Sequence, residues 1–142
     1  MRGQFTPITI SRGRRIASVG LALGHFVMAI AYQVPSLSIS PSGTLPPGAV
    51  SIVNYIDSAG PWWVGGYGLT GLAVLAAVRF QRGLHWAHAL GAAVAGAFAT
   101  ASLVGAFSSD PNRPIIVGTA FAMVLVAHLG LFSSYGDLVE QQ

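Results

Sequence analysis

The chain reads as an all-α integral membrane protein of four transmembrane helices with both ends in the cytoplasm, and three observations predict that class. Of its 142 residues, 53% are hydrophobic and 8% charged, which leaves too little polar surface to keep a folded domain in water. Four apolar stretches reach the roughly 20 residues that a helix rising about 1.5 Å per residue needs to cross about 30 Å of hydrocarbon. Within them the only charge is Arg79, at the very end of the second; every other charge falls in a terminus or a loop.

The spans are expected over residues 16–34, 62–80, 84–107 and 115–134, in a single domain covering 1–142. Orientation follows from arginine, because basic residues in short flanks and loops stay on the cytoplasmic side. Arg2, Arg12, Arg14 and Arg15 precede the first span, and Arg79 and Arg82 flank the tight turn between the second and third. Only Arg113 lies on the other side, so the arginines favour an N-in, C-in topology in the cytoplasmic membrane. The rival reading of the first span is a cleaved signal peptide, since Arg14-Arg15, an apolar run and the small pair Ala29 and Ala31 fit that template.

The outer loop 35–60 divides in two. Its Ser/Pro-rich first part has no helical periodicity and should be extended. From Pro47, the residues Val50, Val53, Tyr55 and Ile56 recur near helical spacing opposite Ser51, Asn54 and Asp57, which predicts a short amphipathic helix in the outer headgroup zone. Trp62 and Trp63 then fall at the membrane interface, where indoles anchor a span. Pro114 suits the start of the fourth helix, and Gly136 can end it.

Membrane helices associate through close backbone approach at small residues, because lipid tails are as apolar as Leu. In the third span Ala89, Ala93, Ala97, Ala101 and Gly105 recur at every fourth position beside Ala92, Gly96 and Thr100, so this helix should be the central packing element. Gly20 and Gly24 give the first span a GxxxG face. These smooth faces serve packing within the bundle, self-association, or contact with another membrane protein.

Histidine is the one ionisable type deep inside the spans. His25, His88 and His128 all fall in the cytoplasmic half, where a bundle brings two of them together; His85 sits at the boundary. The structural reading is that each hydrogen-bonds a neighbour, with Ser18, Gln33, Thr70, Thr100 and Ser102 available. A pair from different helices is also what axial haem ligation requires, and a series of imidazoles can relay protons.

The absences narrow the field. No cysteine is present, which removes disulfides and thiolate metal sites. The net charge of +3 is too small and too juxtamembrane for a nucleic-acid partner. No Ser/His/Asp set, His-Glu-x-x-His helix, phosphate loop or carboxylate pair occurs, so no catalytic residue, metal or cofactor is expected and the protein should not be an enzyme.

Arginine without lysine, the Ser-Arg-Gly-Arg-Arg leader at residues 11–15, four short-looped Ala/Gly-rich spans and a brief polar tail give the chain a general likeness. It resembles the small four-span membrane proteins of actinobacterial phages and prophages, some holin-like and some implicated in phage defence. That resemblance implies a non-enzymatic protein acting by assembly in the membrane, through permeabilisation or phage exclusion. The alternatives are an accessory subunit of a larger actinobacterial membrane complex and a haem-b electron carrier using two of His25, His88 and His128.

Overall fold

A computed structural model describes residues 10–33, 53, 55, 56, 59–109 and 116–140. Among them are four long helices: α1 (Arg12–Gln33), α2 (Trp62–Phe80), α3 (Leu84–Ser109) and α4 (Ile116–Glu140). Each is long and apolar enough to cross a membrane, so the chain is a small, all-helical, multi-pass membrane protein. The expected interfacial helix lies largely outside the described residues, as do the Ser/Pro-rich stretch and the Arg113-Pro114 start of the fourth span.

Local chemistry sets most helix ends. Ser11 caps α1, its hydroxyl accepting the Arg14 N–H at 3.4 Å and its carbonyl the Arg15 N–H at 3.1 Å. At the end of α2, Gln81 takes the left-handed conformation (φ 54°) and donates its N–H to the Ala77 carbonyl. Gly83 follows at φ 67°, and its carbonyl accepts the first bond of α3 from Ala87. This turn reverses the chain and sets Arg79 and Arg82 beside the arginine-bearing start of α1. One end of the bundle is thus marked by arginine.

Gly136 does not end α4, which continues to Glu140. A glycine inside a helix costs only about 1 kcal/mol, and the preceding Tyr135 is buried and tied to α1.

The closest helix pairs are α3 with α4 and α1 with α2; α2 also meets α3, α1 touches α4 only sparingly, and the diagonal pairs α1 with α3 and α2 with α4 approach least. Gly71 explains one close pair, because a Cβ there would stand 3.1 Å from both the Ala22 carbonyl oxygen and the Phe26 ring. The small-residue face of α3 is rotated from the expected stripe. Ala101 and Gly105 are buried and Ala89 and Gly96 half-buried, but Ala93 and Ala97 are exposed. Of the adjacent stripe Ala92 is buried, and the inward face carries with it Leu84, Ala87, His88, Gly91, Ala95, Phe98 and Ala99. Almost every side of this helix is smooth enough to pack, so the one polar and the one bulky side chain that gain most from the interior, His88 and Phe98, decide its rotation.

The outward faces carry large apolar side chains, such as Leu23, Val27 and Ile30 on α1 and Met123, Val126 and Leu129 on α4, as lipid contact requires. Trp62 and Trp86 are exposed near opposite ends of the bundle, at the depths of two aromatic belts. Trp63 turns inward and donates its indole N–H to the Val53 carbonyl at 3.1 Å.

Candidate functional site

The bundle interior has two halves. Away from the arginine end it is filled by rings: Tyr67 lies within 5.8 Å, centroid to centroid, of both Phe98 and Phe121, Phe98 and Phe121 are 4.5 Å apart, and Trp63 meets Phe98 edge-on at 5.0 Å. Trp63, Tyr67, Phe98 and Phe121 are all buried. Toward the arginine end the interior is polar along one line.

Two pairs of residues build that line. Ser18 and His25 are seven apart on α1, and His128 and Tyr135 are seven apart on α4, so each pair lies on one helix face two turns apart. α3 adds His88. The three histidines are 3%, 0% and 0% exposed for His25, His88 and His128, and Ser18 is fully enclosed, so each must find its partners inside the protein.

They find one another. His25 Nε2 lies 2.8 Å from His128 Nε2, and His128 Nδ1 lies 2.9 Å from His88 Nδ1. His88 Nε2 is 2.9 Å from Ser18 Oγ, which is 3.0 Å from Tyr135 Oη. The result is an unbroken chain, His25–His128–His88–Ser18–Tyr135, drawn from three helices. Tyr135 also stacks on His88 at 5.5 Å and 12°, and the Arg14 guanidinium stands 6.0 Å from its ring centroid, so this end of the chain reaches the charged surface.

Gly91 makes the arrangement possible. A Cβ at that position would overlap the His128 ring, so α3 has a slot, one turn from His88, into which the imidazole of α4 fits. The hydrogen bonds from α1 to α4 bridge the neighbouring pair of helices whose backbones touch most sparingly.

Each neutral imidazole offers one N–H and one lone pair, and each hydroxyl can donate once while accepting. The chain therefore has two complete polarities. In one, every donor points toward Tyr135; in the other, every donor points toward His25. Passing a proton along it converts one polarity into the other, and re-orientation of the rings and hydroxyls restores the first. From Ser18 to His25 the chain climbs roughly 10 Å at 1.5 Å per residue, about a third of the hydrocarbon core.

The same geometry bears on the haem reading. Two axial nitrogens on opposite faces of an iron must stand about two metal–nitrogen bonds apart, roughly 4 Å. His25 and His128 meet directly at 2.8 Å, and both nitrogens of His128 are engaged. Among the described residues no group of three His, Cys, Asp or Glu is placed to hold a metal ion.

All three intramembrane histidines meet, where the sequence led us to expect two. Of the proposed partners, Ser18 joins them; Thr70 is buried without a hydrogen-bond partner among the described residues, and Gln33 and Thr100 face outward. His85 stays apart, against Trp86 at 4.9 Å and Phe132 at 6.3 Å. Tyr135 and Gly91 were not singled out, although the seven-residue spacing shared by Ser18/His25 and His128/Tyr135 was a usable signal. Gly20 and Gly24 are exposed, with nothing within 4 Å of a Cβ at either position. Comparison with protein-family models, with curated proteins and with solved structures returns no match.

Proposed function

We propose that the protein is a non-enzymatic component of the cytoplasmic membrane that relays protons through its buried seam and thereby alters the proton permeability of that membrane. The observation that carries this reading is the continuous chain of four hydrogen bonds through three histidines, a serine and a tyrosine. Ionisable side chains within a membrane are costly to keep, and a row of groups that both donate and accept is what proton transfer needs. The concentration of arginine at the Tyr135 end supports placing that end, and both termini, in the cytoplasm. The chain has no cysteine, so Gln81→Cys and Ala59→Cys, labelled one at a time with an impermeant maleimide, read the orientation directly.

Proteoliposomes of total bacterial lipid extract, loaded with a pH-sensitive dye and given a potassium diffusion potential, test the relay. Wild-type protein should acidify or alkalinise the lumen faster than empty vesicles, and His88→Asn should abolish the difference. Equal rates for both proteins and for lipid alone would refute the reading.

A second reading is assembly in the membrane, as a holin-like or phage-excluding protein of the actinobacterial phage type or as the partner of a larger complex. The open Gly20–Gly24 face favours it, since such faces let two helices approach closely. Mass measurement of the protein purified in mild detergent separates a self-associated form from a partnered one. A monomer of this chain alone counts against both.

A further inference from the structure

The seam ends at His25, well short of the far side of the membrane, and the surroundings of that end limit what can receive its proton. Onward along the bundle axis the way is closed by rings: Tyr67 lies 5.4 Å from the His25 imidazole, with Phe98, Phe121 and Trp63 buried behind it. Sideways it is open. Because α1 and α4 touch more sparingly than the other neighbouring pairs, a cleft of about 350 Å³ runs between them, lined by Gly20, Gly24, His25, Met28, Phe121 and Val124. Gly20 and Gly24 thin its α1 wall, and the space above them is free, so the cleft faces the hydrocarbon of the bilayer. Its lining is apolar except for His25, whose Nε2 is bonded to His128 while Nδ1 has no hydrogen-bond partner among the described residues.

We infer that this cleft binds a lipid-soluble molecule bearing a hydrogen-bonding oxygen on a small ring, of the quinone or quinol class, and exchanges a proton with it at His25 Nδ1. The inference rests on the relay proposed above and names what stands at its inner terminus. The occupant must come from the bilayer, since the cleft opens there and not to water. It must be slender and largely apolar, to pass between Gly20 and Gly24 on one side and Val124 on the other. It must carry one polar atom, since the cleft offers one. The exchange is acid–base only. A bound quinol hydroxyl gives its proton to His25 Nδ1 and becomes the quinolate while the seam passes a proton toward Tyr135. In the reverse direction a proton leaving Nδ1 for the quinolate oxygen restores the quinol and is replaced along the seam from Tyr135; neither the ligand nor the seam changes oxidation state in the step.

The test uses full-length protein in nanodiscs with histidine labelled by nitrogen-15, and decylbenzoquinone as probe, with decylbenzene as a control of similar length lacking the oxygens. We expect decylbenzoquinone to shift the His25 Nδ1 resonance saturably and leave His85 unmoved, and decylbenzene to do neither. Gly24→Ile fills the cleft from an open position and should weaken binding by roughly ten-fold or more while the nitrogen–nitrogen couplings across the His25–His128 and His128–His88 bonds persist. In proteoliposomes of synthetic phosphatidylcholine, which bring no quinone of their own, decylbenzoquinone reduced to the quinol by external dithionite should accelerate proton movement with wild-type protein and not with Gly24→Ile. No shift of Nδ1, or a shift of equal size in Gly24→Ile, overturns the binding site. A Nδ1 resonance that responds to protein concentration and not to the quinone assigns the cleft to a second copy and also overturns it. Fast proton flux in quinone-free vesicles that Gly24→Ile leaves unchanged overturns the ligand while leaving the relay standing; flux that His88→Asn leaves unchanged removes the relay itself.

Discussion

The two halves of the bundle interior are held together by different physics. In the half away from the arginine end, Trp63, Tyr67, Phe98 and Phe121 fill the space by shape, and the Tyr67 hydroxyl is buried with no hydrogen-bond partner among the described residues. In the arginine half, the Tyr135 hydroxyl bonds Ser18 at 3.0 Å and closes a chain in which every link depends on the next. Two tyrosines of one protein thus sit in opposite regimes. Around the first, packing is the stabilising term and polarity is incidental; around the second, removing any polar atom strands its neighbour. That contrast makes the polar half the place to look for function, because a membrane bundle needs only packing to stand.

The largest effect should come from destroying the slot on which the polar half depends. Gly91→Leu drives a side chain into the His128 ring and should cost about 3 kcal/mol or more, measured by unfolding in mixed micelles. Phe98→Ala opens a cavity in the aromatic half. Lipid replaces water as the surroundings of the unfolded helices, so the loss is mainly of contacts and should be smaller, about 2 kcal/mol, with the nitrogen–nitrogen couplings of the seam retained. His128→Leu breaks two hydrogen bonds at once and should cost about 1 to 2 kcal/mol while reducing proton flux to that of empty vesicles. The smallest pair is the most pointed. Tyr135→Phe removes a bonded hydroxyl and should lower stability by about 0.6 kcal/mol, whereas Tyr67→Phe removes an unbonded one and should leave stability unchanged or slightly raised. Equal losses from the two tyrosine variants would erase the distinction between the halves.

Much of the site was legible as residue types and little of it as geometry. The presence of three histidines in one half of the membrane follows from counting positions along alternating spans, and Ser18 was among the named partners. That all three rings join in one chain depends on how far each helix is turned about its own axis, which the chain alone signals poorly. In α3, small residues occur on every side, so the alternate-turn stripe of Ala93 and Ala97 looked as good an interface as the face around His88 and Gly91 that is in fact buried. In the sequence Gly136 can end the helix, and only the contact of the preceding Tyr135 with Ser18 and His88 shows why α4 continues past it.

What the sequence by itself determined is the division of the chain between lipid and water. Partition of about 20 apolar residues into hydrocarbon is a property of composition along one segment, so the four spans, the tight Gln81–Gly83 turn and the gathering of arginine at one end can be read without neighbours. The tertiary structure alone decided which faces meet, which histidines bond, and that the sparse contact between α1 and α4 leaves a cleft ending at His25. The reason is that lipid and small side chains are almost equally apolar. Hydrophobicity therefore inserts these helices but scarcely orients them, and their rotation is left to the few interactions that only a neighbour can supply: a ring against a glycine, and an imidazole against an imidazole.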